Sequence, residues 1–219
     1  MNPSPDITRY LILGILWLGW CCLHSALIAP GVTAYIQHHH QKLIRYYRLL
    51  YNAIAIVTLM PVLGFTIHIQ TEPFFRWIGL ARLGQICMLL TALYLFWAGA
   101  RNYDVLQFLG LRNLQADDTC SLISEDCQLE NKGVLNIVRH PWYAGGILII
   151  WTRNIDGTAL VTNIILTAYF IVGAWLEERK LLRQFGVTYQ NYQQNVSMLF
   201  PFKWLHGKFI SQNTNRTKL

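Results

Sequence analysis

The sequence predicts an all-α integral membrane protein of about five transmembrane helices, the last two forming a hairpin that carries the functional site. Three observations point there. The 219 residues are 53% hydrophobic and only 13% charged, where an ordinary soluble domain carries roughly 25% charged residues. The apolar residues fall in runs long enough for the roughly 30 Å hydrocarbon core of a bilayer. Charged and aromatic residues gather at the ends of the last two runs, and polar groups held at a membrane surface mark a candidate site. The whole of 1–219 reads as one transmembrane domain, with no internal repeat and no low-complexity tract.

After a short polar lead with Pro3 and Pro5, the run from Tyr10 to Pro30 holds no charged residue over 21 positions. It lacks a basic segment before it and is long for a signal sequence, so a retained helix is expected. His24 and Ser25 lie inside it. His24 reads either as a hydrogen-bonded residue facing a neighbouring helix or as a group touching the substrate. His38, His39 and His40 with Lys42, Arg45 and Arg48 read as a basic, headgroup-facing loop. Three adjacent histidines resemble a metal tract, but no carboxylate or cysteine stands nearby to complete a site, and no metal is expected. A second span is expected over about Leu49 to Ile69, with Pro61 and Gly64 inside it. A third follows over about Ile78 to Ala100, after the turn Thr71-Glu72-Pro73.

Residues 101–137 are a polar connector whose part 115–130 is acidic and without periodicity, read as a flexible link rather than a lid. Trp142 to Thr152 offers about eleven apolar positions, short for a full span, so this helix is tilted, thin or re-entrant. Thr158 to Leu176 is a full-length run. Cys21, Cys22 and Cys87 sit in apolar runs as small hydrophobes. Cys120 and Cys127 share a connector placed in the cytoplasm, where a stable disulfide is not expected.

The net charge of +7 follows from the positive-inside rule rather than from nucleic-acid binding. With five crossings, Arg9, Arg76, Arg82 and Arg153 lie outside and the other 14 of the 18 Lys and Arg residues lie inside. This bias puts the C-terminus and the last polar segments in the cytoplasm.

The polar segments around the last two runs carry the chemistry. Pro141 suits the first turn of a helix, where its missing N–H costs nothing. The amides of Trp142, Tyr143 and Ala144 then point at the membrane surface and suit an anionic group. Gly145 and Gly146 allow close approach. The next helix continues beyond the membrane as Glu177 to Phe185 and stops at Gly186, a natural C-cap. Tyr189 and Tyr192 follow, three apart. Two carboxylates, an anion hole and aromatic faces suit a zwitterionic or cationic cofactor. Each piece also has a plain structural reading: Glu177 pairing with Lys180, Arg139 as a basic anchor, the tyrosines as an interfacial belt.

The pattern Arg139-His140-Pro141-x-Tyr143-x-Gly145, then Glu177-Glu178-x-x-Leu181-x-x-x-Phe185-Gly186-x-x-Tyr189-x-x-Tyr192-x-x-x-Val196, ending in Pro201, resembles the isoprenylcysteine carboxyl methyltransferases and their phospholipid methyltransferase relatives. The likeness is closer to the bacterial methanethiol S-methyltransferase branch. It extends to His24-Ser25, to Tyr46-Tyr47-Arg48-Leu49-Leu50-Tyr51-Asn52 and to Phe108-Leu109-Gly110-Leu111-Arg112. The resemblance implies a pocket for S-adenosylmethionine (SAM) on the cytosolic side, within about 133–203. It implies that His140, Pro141, Tyr143, Gly145, Glu177, Glu178, Tyr189 and Tyr192 line that pocket. Members of the family often carry Pro and then a basic residue after the valine. Ser197 and Met198 stand there in this chain, which disfavours a prenylcysteine-like carboxylate acceptor.

The expected function is methyl transfer from SAM to a small or lipophilic acceptor reaching the site from the bilayer, a thiol before a lipid amine or a carboxylate. A thiol reacts as its thiolate, and His140 and His24 are the candidate bases. Two other readings remain open. An NADPH-dependent membrane reductase would need a basic pocket for the 2′-phosphate, and a non-catalytic membrane scaffold would have no use for the two motifs together.

Overall fold

The structure, a computed structural model, describes residues 7–101 and 132–206, with backbone alone for residues 41 and 42. The motif Phe108 to Arg112, Cys120, Cys127 and nearly all of the polar connector lie outside the described residues. So do residues 1–6 and the last thirteen positions.

Among the described residues the fold is all-α, and four helices are long and apolar enough to cross a membrane. Helix α1 spans Ile7–Leu27, α2 Pro30–His39, α3 Gln41–His68 and α4 Ala81–Ala100. A 3₁₀ turn at Gly133–Asn136 leads into α5, Pro141–Trp151, and then α6, Gly157–Asn195. Helix α5 has 11 residues, about 16 Å of rise and roughly half the hydrocarbon core.

The basic segment expected as a loop over residues 38–48 is helical instead. It holds no Gly, Pro, Asn or Asp to break a helix, and Lys and Arg are good helix formers. The only interruption is at His40, with φ −137° and ψ 59°. The break between α1 and α2 has a local cause: Ala29, before Pro30, is extended at φ −61° and ψ 138°, because proline excludes the helical region for the residue ahead of it.

The chain divides into two compact units. The first contains α1 to α3, the loop after α3, and residues 153–167 at the start of α6. Its core is Leu13 and Trp17 of α1 against Val62 and Ile69, with Val161, Ile165 and Leu166 packed on it. The loop is fastened at several points. Phe75 and Ile155 exchange backbone hydrogen bonds of 3.1 and 2.9 Å, and Trp77 Nε1 donates to the Arg153 carbonyl at 3.0 Å. Asp156 caps α6 through the Ala159 amide at 2.8 Å and also accepts from the Thr71 amide at 2.9 Å.

The second unit contains α4, α5, the later part of α6 and the residues after it. Leu95, Ala98, Val134, Val138, Ala144, Ile147, Ala174 and Leu199 form its core. Helices α4 and α5 approach closely because small residues face each other's rings, as at tight membrane-helix contacts. A side chain at Gly145 would meet Phe96 at 3.0 Å, and one at Gly99 would overlap Trp142. Helix α5 pairs antiparallel with α6 inside this unit: Gly146 faces Phe170, Tyr143 faces Gly173, and His140 faces Glu178.

Candidate functional site

The site grows from a reversal in α6. The apolar stretch of this helix ends at Leu176, and the polar residues from Glu177 onward lie beyond its membrane-spanning part. At Gly186 the backbone turns to φ 52° and ψ −126°, a conformation open in practice only to glycine. Helix resumes after it, so Gly186 is a hinge within α6 rather than its end. Tyr189, Tyr192 and Val196 thereby fold back onto Leu181, Leu182 and Phe185. Eleven residues of straight helix would hold Glu178 and Tyr189 about 16 Å apart, yet the Tyr189 hydroxyl lies 3.5 Å from Glu178 Oε1.

Glu178 is the hub. Its Oε1 accepts from Arg139 Nε at 2.6 Å and faces His140 Nε2 at 3.2 Å, and its Oε2 accepts from Gln193 Nε2 at 2.8 Å. Arg139 and Glu178 are both buried, as is His140. Arg139 Nη1 also donates to the carbonyls of Gln193, at 3.1 Å, and Val196. Burial pushes the Glu178 carboxyl upward. The hydrogen bonds from His140 and Arg139, the Arg139 charge and the Gln193 amide outweigh it and hold the group down at about 2. A buried carboxylate is tolerable when paired and hydrogen-bonded in this way.

The segment after α6 is stitched to the start of α5. Arg139 N donates to the Ser197 carbonyl at 2.9 Å and His140 N to the Met198 carbonyl at 3.1 Å. Ser197 and Met198 therefore hold the start of α5 through their carbonyls, and Ser197 Oγ also accepts from the Lys203 amide at 3.0 Å. Lys203 Nζ closes the end of α6 on the Gln193 and Gln194 carbonyls at 2.7 and 3.0 Å.

The expected site residues separate into groups. His140, Glu177, Glu178 and Tyr189 come together. Glu177 Oε2 lies 3.7 Å from His140 Nδ1, and its side chain is 42% exposed, so it alone of the two carboxylates faces outward. Tyr143 is half-buried, edge-on to His140 at 5.6 Å. Tyr192 is turned inward, its hydroxyl donating to the Leu135 carbonyl at 2.6 Å. Pro141 is buried in the first turn of α5, and Gly145 is buried against α4. His24 belongs to the first unit, stacked on Trp20 at 5.5 Å.

Three working residues were not among the expected cofactor-lining ones. Arg139 stands in the motif with a plain alternative as a basic anchor, and it clamps Glu178. Gln193 had no signal, because its role depends on the reversal at Gly186. Asp156 did have one, since an Asp directly ahead of an apolar run is a helix-capping signature.

Helices of this length and apolarity, with a buried charged hub beyond the last of them, define an all-α integral membrane protein. Over about a third of its length the chain is similar to methanethiol S-methyltransferases of several bacteria. It is 38% identical over 80 residues to the methanethiol S-methyltransferase of Pseudomonas sp. (strain GM41(2012)), covering 36% of this chain and 31% of that protein. It is 44% identical over 66 residues to that of Pseudomonas deceptionensis, covering 30% and 25%. It is 37% identical over 70 residues to that of Mycobacterium tuberculosis (strain ATCC 25618 / H37Rv), covering 32% and 29%. The chain thus spans a quarter to a third of the length of these relatives. No family model matches it, and no solved structure does.

Proposed function

We propose that this chain is an integral-membrane methyltransferase that uses SAM and methylates a small thiol. The observation that carries the reading is the 38–44% identity to proteins named methanethiol S-methyltransferase. The geometry of the second unit supports it. Arg139 is spent on Glu178, so the outward Glu177 leaves the cluster a negative face, which fits a donor that carries a sulfonium and an ammonium group.

In this reading Glu177, Tyr143 and His140 hold the cofactor. Pro141 and Gly145 shape the helix that presents them, and Glu178, Tyr189 and Tyr192 keep the presenting walls in place. When bound, SAM would supply an activated methyl group for transfer to the thiolate sulfur, with S-adenosylhomocysteine as the leaving group. The chain contributes alignment and exclusion of water, which together lower such a barrier by several kcal/mol, on the order of 7–11 where alignment is complete. Glu178 orients the imidazole through Nε2, which leaves Nδ1, on the Glu177 side, as the atom through which His140 holds or passes a proton. The bias of Lys and Arg supports a cytoplasmic position for this cluster and the C-terminal segment.

Calorimetry on the detergent-purified protein tests the reading. Micromolar SAM binding is expected. Glu177→Ala should weaken it at least tenfold while the thermal midpoint stays within about 2 °C, as for an exposed side chain. Binding of NADPH without SAM would favour the reductase, and binding of neither would favour the scaffold.

A further inference from the structure

The outer face of α6, where the helix leaves its apolar stretch, is used neither by the fold nor by the site above. At about 100° per residue, Val172, Trp175 and Leu176 share one side of the helix, and Arg179, Lys180 and Arg183 continue that side within an arc of about 140°. Val172, Trp175 and Leu176 are all about half exposed, as suits a lipid-facing surface, and the three basic residues are exposed as well. The opposite side is committed inward. Ala174 is fully buried, Glu178 is the hub, and Leu181, Leu182 and Phe185 carry Tyr189, Tyr192 and Val196. The lipid-facing stripe thus runs directly into a basic one.

The depth fits lipid headgroups, which occupy about 5–8 Å on each side of the hydrocarbon core. Arg179 stands about 4–5 Å beyond Leu176 along the helix and Arg183 about 10 Å beyond it. The long stems of both side chains let their heads reach the phosphate level.

Two observations go beyond a general basic anchor. Arg179 Cζ lies 4.0 Å from the centre of the Trp175 ring. The ring holds one face of the guanidinium and leaves its planar N–H fork for an outside partner, a geometry that matches two oxygens of a phosphate. The second observation is the charge balance. Arg179 and Arg183 are four apart, a spacing at which like charges destabilise a helix, and Lys180 lies between them. Among the described residues, no carboxylate is within ion-pair distance of any of the three. Glu177 turns to His140 and Glu178 to Arg139 instead. Three mutually repelling cations on one face call for an anion from outside the chain.

We propose that Trp175, Arg179, Lys180 and Arg183 form a binding site for an anionic phospholipid of the phosphatidylglycerol type. Arg179 grips the phosphate through its fork, Lys180 and Arg183 add charge around it, and Val172, Trp175 and Leu176 lie along the acyl chain. The site stands independently of the methyltransferase reading.

The test uses the full chain in detergent with phosphatidylglycerol as probe. Phosphatidylcholine of the same acyl chains and inorganic phosphate at the same concentration are the controls. Phosphatidylglycerol should raise the thermal midpoint in a concentration-dependent way, and neither control should. Arg179→Gln and Arg183→Gln should each weaken the apparent lipid affinity about tenfold. Arg179→Lys keeps the charge but not the fork, and should weaken it at least threefold. Arg101 also lies over a tryptophan, Trp97, at the end of α4, so Arg101→Gln serves as a charge control and should leave the affinity unchanged. The ligand-free midpoints of all four variants should stay within about 2 °C of the wild type, as for exposed side chains. An equal increment with phosphatidylcholine would mean a lipid-facing surface without headgroup recognition and would overturn the proposal. An equal increment with inorganic phosphate would replace the lipid by a free anion and overturn it too. So would an affinity retained in Arg179→Gln and Arg183→Gln, or one that falls as far in Arg101→Gln as in those variants.

Discussion

Glu178 gathers four side chains from three parts of the second unit: Arg139 and His140 ahead of α5, Tyr189 beyond the hinge, and Gln193 near the end of α6. Removing it leaves the Arg139 guanidinium buried without its counter-charge, so Glu178→Ala is expected to cost about 3–5 kcal/mol of stability. Chemical denaturation in detergent reads this directly, and a loss under 1 kcal/mol would show that Arg139 finds another partner. The same group sets an acid limit. Its carboxyl falls from an ordinary 4.5 to about 2 in the fold. Its contribution to stability is therefore complete above about 4.5 and is lost as pH falls from there toward 2. Glu178→Gln should flatten the stability profile in that window. At this scale the sequence showed the participants and not their pairing. Arg139, His140, Glu178 and Tyr189 all stand in recognisable motifs, but which of the adjacent carboxylates turns inward depends on the rotation of α6 against α5.

At the scale of elements, the apolar runs foretold α1, the later part of α3, α4 and the first half of α6 to within a few residues. Lipid-facing helices leave a plain record, since every position toward the bilayer must be apolar. Two junctions were less legible. The basic residues 38–48 carry charge that suits either a loop or an interfacial helix, and only packing of Tyr47, whose hydroxyl donates to the Leu27 carbonyl at 2.6 Å, settles the helix there. Gly186 looked like an end and is a hinge. Its φ of 52° with ψ −126° predicts that Gly186→Ala costs about 1–3 kcal/mol. The damage should spread to Tyr189 and Tyr192, seen as increased hydrogen exchange after residue 186. Asp156→Ala removes both a helix cap and the tether to Thr71, and should lower stability by about 1–2 kcal/mol in thermal or chemical unfolding. An effect below 0.5 kcal/mol would mean that water replaces the carboxylate at no loss.

For the molecule as a whole, the membrane character and the presence of a polar cluster around the last two apolar runs were determined by the sequence alone. Composition and run length carry that information, because the bilayer acts on each residue separately, whatever its neighbours in space. The roles within the cluster were decided only by the tertiary structure. Glu177 and Glu178 are chemically identical and adjacent, yet one is 42% exposed and the other is buried under Arg139. Tyr192 and Gly145 stand in the motif as candidates to line a pocket, but the first donates to Leu135 and the second packs on Phe96. Asn163 reads in sequence as a single polar residue in an apolar run, and its burial without a hydrogen-bond partner among the described residues emerges only on packing. Hydrogen bonding and burial depend on residues far apart in the chain, and a one-dimensional pattern records the inventory of those groups but not their partners.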